Sequence, residues 1–236
     1  MIRALALAAM LAAAGAPAAA CRLALALGLD VSASVDAREY RLQLDGLAAA
    51  LNAPPVREAL LGGGGGPVAL AVFEWSGWAD QRLLLDWTLV TGPDALAGVT
   101  ARLLGAERQA MSDSTALGQA LLEGGGLLAR GPGCWRKVLD VSGDGRNNDG
   151  PDPDMLDGDP VLAGVTVNAL VIGAEGRGTG DLRAADIGEL SSYFQADVIR
   201  GPGAFVQVAL GLDDYERAMT RKLLREVAPA AMSALE

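Results

Sequence analysis

Residues 23–36 read LALALGLDVSASVD. The first seven are apolar or glycine without a break, which is the pattern of a short strand covered on both faces. Behind them Asp30, Ser32 and Ser34 set oxygen-bearing side chains at alternate positions, just where such a strand ends. Two chemistries produce that pattern. Short Asp and Ser side chains cap the next helix or close a turn, or they converge as hard oxygen ligands for a divalent cation.

Outward from this stretch, β-like runs alternate with longer amphipathic ones. Asp36 to Leu51 carries Tyr40, Leu44, Leu47 and Leu51 at helical spacing and stops before Pro54-Pro55. Gly62 to Gly66 reads as a flexible surface connection, and it lacks the Lys-Ser/Thr of a phosphate loop. PVALAVFEWSG and QRLLLDWTLV form two strands around a turn near Gly77–Asp80, a hairpin that puts an antiparallel strand at the sheet edge. Helical spacing returns over 94–104 and 116–129. The second helix holds Gly124-Gly125-Gly126, each costing about 0.5–1 kcal/mol against alanine, so packing holds it together or it breaks there. WRKVLDVSGDG and GVTVNALVIGAEG are further buried strands, GAFVQVA is a short last one, and 213–227 closes as a helix. The glycines from Gly173 to Gly178 do not match G-x-G-x-x-G and read as a loop. Strands alternating with helices give an α/β fold: a mostly parallel six-stranded sheet with one antiparallel edge strand and helices on both faces. In that architecture ligands bind at the carboxyl ends of the strands.

The chain has 236 residues and is 51% hydrophobic, enough for one sizeable core. Its formal charge of -10 and pI near 4.5, with no long basic run, argue against nucleic acid and against an anionic membrane surface as partners. It contains no histidine, which removes Ser-His-Asp and Cys-His catalysis and nearly all zinc chemistry of the usual kind. Met1-Ile2-Arg3, an Ala/Leu-rich run to Ala14, and Gly15-Ala16-Pro17-Ala18-Ala19-Ala20 read as an export signal cleaved near Ala20. The expected organisation is a signal peptide over 1–20, one domain over 21–228 and a tail over 229–236, in a periplasmic or secreted protein. Cys21 and Cys134 each start an apolar stretch. If those strands are parallel neighbours, the sulfurs lie side by side and bridge as Cys21–Cys134 in an oxidising compartment. A lipid on Cys21 is the rival reading, against which stand the preceding alanines, since such sites favour a leucine.

Between the first strand and the WRKVLDVSGDG strand lies the polar loop Ser112-Asp113-Ser114-Thr115-Ala116-Leu117-Gly118. With Asp30 and Asp144 as carboxylates and Ser32, Ser34 and Thr115 as hydroxyls, three carboxyl-edge loops supply a hard-cation ligand set suited to Mg²⁺, with Mn²⁺ or Ca²⁺ as substitutes. Because hydroxyls are neutral, the ion keeps net positive charge and can take an incoming carboxylate.

Asp30-Val31-Ser32-Ala33-Ser34 resembles the Asp-x-Ser-x-Ser signature of von Willebrand factor type A (VWA) domains. Thr115 falls in a T-x-x-G segment, and Asp144-Gly145 matches the family's later Asp-Gly, although Ser142-Gly143 precedes it where the family has Thr-Asp-Gly. DVSASVDAREYRLQLDGLAAAL, VFEWSG and LDVSGDGRNNDG are similar to a bacterial family of secreted VWA-like proteins of unassigned function. The likeness runs through nearly the whole mature chain. It implies a Rossmann-like VWA sheet with an ion-dependent adhesion site in which the serines coordinate directly, Thr115 or Asp144 joins according to state, and Asp30 acts largely through water. It implies an exported binding module, not an enzyme, that grips the Asp or Glu of a protein partner through the ion. Asp140 is a weaker substitute for Asp144. The alternative is a metal-dependent hydrolase or phosphotransferase with Asp30 as nucleophile and Asp144 on the ion, disfavoured by Ser32 standing where a second acid is wanted.

Two further features stay open at this level. Asp149, Asp152, Asp154, Asp157 and Asp159 fit no EF-hand spacing, and read as a solvated loop with helix caps or as a second Ca²⁺ site. Glu74, Trp75 and Trp78 lie near the same edge, where they shape a binding surface or pack the strand ends.

Overall fold

A computed structural model of the protein describes residues 21–32, 35–62, 64–173 and 181–228, the side chains of 181–183 excepted. The export signal, Ser34, most of the Gly173–Gly178 loop and the tail over 229–236 lie outside the described residues. Six strands form one sheet: β1 (Leu23–Asp30), β2 (Val68–Trp75), β3 (Gln81–Val90), β4 (Arg136–Gly143), β5 (Val165–Ile172) and β6 (Val206–Ala209), in the order β3-β2-β1-β4-β5-β6. All neighbours are parallel except β2 and β3, whose antiparallel pairing puts β3 at the edge.

The alternation in LALALGLD decides what covers each face. Leu23, Leu25, Leu27 and Leu29 join one core with the helices α1 (Ala37–Asn52), α3 (Pro93–Leu104) and α6 (Tyr215–Val227). Ala24 and Ala26 turn to the other face, against α4 (Leu117–Ala129). Small residues there let α4 come close, and Gly124 completes the fit: a Cβ on it would stand 2.3 Å from Leu139 Cδ1. The three glycines therefore do not break α4, because packing holds the helix where propensity does not.

Asp36 is the N-cap of α1. Its side chain accepts from Glu39 N at 2.8 Å while Glu39 Oε2 accepts from Asp36 N at 2.9 Å, a complete capping box. Two helices lie where sequence spacing gave none. α2 (Pro54–Gly62) starts on the prolines that end α1, because a proline in the first turn gives up an N–H that has no helical partner. α5 (Asp181–Tyr193), continued by a π-helical turn over Phe194–Val198, is largely solvent-facing and shows no apolar stripe.

At the amino edge of the sheet Cys21 and Cys134 form a disulfide with Cα atoms 4.6 Å apart. The parallel register Leu23↔Arg136 puts them opposite one another two residues earlier, as the strand reading anticipated, and the lipid reading of Cys21 falls. Beside them Arg22 donates to the carbonyls of Gly66, Val227 and Ala59, tying the ends of α2 and α6 to β1. Among the described residues no helix is long and apolar enough to cross a membrane.

Candidate metal centre

β1 and β4 are neighbours in register, with Leu29 opposite Ser142, so Asp30 and Asp144 emerge side by side at the carboxyl edge. Asp30 is buried, and its Oδ1 accepts the backbone N–H of Ser32 at 2.9 Å, which folds the chain into a tight turn as it leaves the strand. Oδ2 is buried and accepts no hydrogen bond. Burial first, and then the neighbouring Asp144 carboxylate, push Asp30 up to about 7, against the pull of hydrogen bonds from Ser32 and from the Asp144 backbone. Gly143 makes room for this carboxylate: a Cβ there would lie 3.2 Å from Asp30 Oδ2.

The third loop is fixed from two sides. Ala116 N donates to Ser76 O at 2.7 Å, joining the loop to the end of β2. Thr115 is buried and held by Asn148: Thr115 N donates to Asn148 Oδ1 at 2.8 Å, and Asn148 N donates to Thr115 O at 2.9 Å. A Cβ on Gly145 would stand 3.8 Å from Thr115 Oγ1, so the threonine hydroxyl lies beside the Asp144-Gly145 turn. Asp30, Ser32, Thr115 and Asp144 thus sit on loops that meet at one edge, and Ser34 lies outside the described residues.

The donor set fits a hard cation. A buried carboxylate oxygen without a hydrogen bond, facing a second carboxylate, is costly until a positive charge joins it. Among the described residues no group of three or more Cys, Asp or Glu is placed to hold a metal. A cation here would draw on two carboxylates with neutral hydroxyls. A small pocket lined by Asp30, Val35, Glu39, Gln43, Asp144, Ile172 and Leu212 opens beside the pair.

Asp140 does not substitute for Asp144. It projects from the face of the sheet that α6 covers, where Lys222 Nζ lies 2.7 Å from its Oδ2. Glu74 and Trp75 do not shape a surface either. Trp75 is buried, and Glu74 is buried, with Tyr40 Oη donating to it at 2.6 Å and the Arg82 guanidinium forming an ion pair with it at 3.4 Å. Trp78 is 59% exposed, and its N–H donates to Asp149 Oδ2. The acidic run is occupied in local structure: Asp159 caps a 3₁₀ turn, Asp152 accepts from Asn147, and Asp157 pairs with Arg200.

Sequence reasoning missed two braces of the site. Gln43 Nε2 donates to Asp30 O at 3.0 Å, and Ser142 Oγ donates to Gln43 Oε1 at 3.1 Å. Its signal was legible: a polar residue three after Tyr40, on the apolar face of α1. Asn148 carried only the weak signal of an Asn-Asn pair after Asp144-Gly145.

Solved structures share this fold. Proximal thread matrix protein 1 from the mussel byssus superposes with a TM-score of 0.57 at 15% identity, over 89% of this chain and 47% of that one. A von Willebrand factor type A protein from Catenulispora acidiphila gives 0.58 at 13% identity, over 88% and 43%. The pilus adhesin SpaC from Lactobacillus rhamnosus GG gives 0.59 at 12%, over 88% and 31%. This chain spans about half the length of the mussel protein or less of the others. One structure of the mussel protein has a zinc-occupied MIDAS motif. A search of the curated proteins finds none that matches.

The sheet order, the single antiparallel edge and these neighbours define a VWA-like fold. The family model described as "Protein of unknown function (DUF1194)" matches residues 20–231, and the chain belongs to that family.

Proposed function

We propose that this protein is an exported binding module, not an enzyme, whose Asp30, Ser32, Ser34, Thr115 and Asp144 hold a divalent cation, Mg²⁺ or in its place Mn²⁺ or Ca²⁺. The cation in turn takes an Asp or Glu side chain of a protein partner in the periplasm or outside the cell. The mature domain of this reading spans 21–228, after a signal peptide over 1–20 and before a tail over 229–236.

The observation that carries the reading is the Asp30 carboxylate, buried, with Oδ2 accepting no hydrogen bond and Asp144 beside it. A carboxylate so placed is poorly solvated alone and well used by a cation. VWA-fold neighbours that include an adhesin and a matrix protein with an occupied metal motif support it further. So does the disulfide, which belongs to oxidising compartments.

The test is thermal unfolding of the mature protein with Mg²⁺ or Mn²⁺ and then EDTA. Saturation at about a hundred times Kd adds about 2.7 kcal/mol of stability, and the chelator removes it. Asp30→Ala, at the carboxyl end of β1, is expected to lose the metal-dependent shift while circular dichroism shows the fold retained. A variant that responds to the ion as the wild type does would sink the site.

A further inference from the structure

A second cluster of ionisable groups lies on the opposite face of the sheet from α4, and the binding reading does not use it. Lys222 is 0% exposed, and Asp140 and Glu226 are each 1% exposed. Lys222 Nζ sits 2.7 Å from Asp140 Oδ2 and 2.5 Å from Glu226 Oε1. Lys222 and Glu226 are one turn apart on α6, and Asp140 projects from the centre of β4. The Phe205 ring closes the site 5.3 Å from Nζ, and Arg225 stacks on that ring. Asn168 Nδ2 donates to Glu226 Oε1 at 2.8 Å and fixes that carboxyl. Tyr215, also fully buried, is a further titratable group near Asp140.

One ammonium among two carboxylates leaves a net negative charge in a dry site, which is costly. Binding one proton makes the trio neutral. Burial and then the Glu226 charge hold Asp140 up to about 7, against the pull of Lys222. Moving one proton from Nζ to Glu226 then gives an amine, a carboxylic acid and a second carboxylic acid as a proton relay, with the nucleophile already beside the acid it would attack.

We propose that Lys222 and Asp140 condense into an intramolecular isopeptide bond, with Glu226 carrying the proton. The Nζ lone pair attacks Asp140 Cγ, and the Nζ–Cγ bond forms. Glu226, protonated at this point, delivers its proton to the departing Asp140 hydroxyl and takes in exchange the proton that Nζ gives up. The Cγ–Oδ bond breaks, water leaves, and Glu226 ends as it began. No oxidant, reductant or outside reactant enters. The disulfide already joins β1 to β4 at the amino edge. The new amide joins β4 to α6, so one covalent path runs from the first strand through the central sheet to the last helix. The proposal is independent of the metal site.

Intact-mass measurement of the purified full-length gene product, allowing for signal cleavage and the disulfide, tests it. The expected result is a mass one water below that of the sequence, with a digest yielding Lys222 linked to Asp140 and no cleavage after Lys222. Glu226→Gln is expected to show the full mass with both residues free. Full mass in the wild-type chain overturns the proposal whatever the variants do. So does a water loss confined to a single peptide, or a Glu226→Gln chain linked as completely as the wild type.

Discussion

Asn148 grips Thr115 by both backbone polar groups, accepting its N–H on Oδ1 and donating its own N–H to its carbonyl. The clasp fixes the threonine main chain from one side, as Ala116 N on Ser76 O does from the other, and so helps aim its hydroxyl from a loop over 112–116 that has no strand or helix of its own. Asn148→Ala deletes one hydrogen bond worth about 1 kcal/mol to the fold. Its larger effect falls on the ion, where loss of an orienting partner costs about tenfold in affinity. Calorimetric titration with Mn²⁺ of wild type and variant, each shown folded by circular dichroism, measures this. Equal affinities would mean that Thr115 needs no clasp.

The α4 glycines make opposite predictions within one helix. Gly124→Ala drives a methyl into Leu139, and overpacking of about 1–3 kcal/mol outweighs the gain of about 1 kcal/mol in helix propensity. Gly126→Ala meets only the far end of the Arg130 side chain, 3.3 Å away, which can move. That substitution is expected to stabilise by about 0.5–1 kcal/mol. Urea unfolding of the two variants gives shifts of opposite sign if the close approach of α4 to the sheet is as described.

Most of the frame was legible because it rests on local patterns. LALALGLD announced a doubly covered strand, the Gly77–Asp80 turn announced the hairpin, and the matched positions of Cys21 and Cys134 announced the disulfide on condition that their strands were parallel neighbours, as β1 and β4 are. What was illegible depends on partners far away in the chain. Asp140 reads as a second candidate ligand until the sheet turns it toward Lys222, and Glu74 reads as a surface acid until Tyr40 covers it. α5 escaped because a solvent-facing helix has no apolar stripe to betray it. Gln43 was visible as a polar residue on an apolar helix face, but the carbonyl it braces belongs to β1.

The disulfide closes a loop with a sequence separation of 113. In the chain-entropy account a crosslink of that span restricts the unfolded chain by about 4–5 kcal/mol, and losses on removal run about 2–5 kcal/mol. Cys21→Ser with Cys134→Ser is expected to lower stability within that range while leaving the Mn²⁺ affinity unchanged, because the bridge lies at the edge of the sheet opposite Asp30. Denaturant midpoints and metal titration of the double variant separate the two effects. A joint loss of stability and affinity would show that the bridge shapes the cation site.

Glu74 gives the protein a pH dependence whose sign is set by burial. Desolvation raises its carboxyl above the ordinary range, and donation from Tyr40 with the charges of Arg82 and Arg108 only partly offsets this. The folded chain therefore holds the Glu74 proton more tightly than the unfolded chain, where a glutamate titrates near 4.3. The contribution to stability is complete below that value and is lost as the pH rises through the folded value. Other carboxylates titrate in the same window, so the comparison must be with Glu74→Gln, which keeps an acceptor for Tyr40 and cannot ionise. The difference in unfolding free energy, wild type minus Glu74→Gln, is expected to fall as the pH rises above the unfolded value of about 4.3. A difference that rises instead would mean that the 3.4 Å pair with Arg82 outweighs the cost of burying the charge.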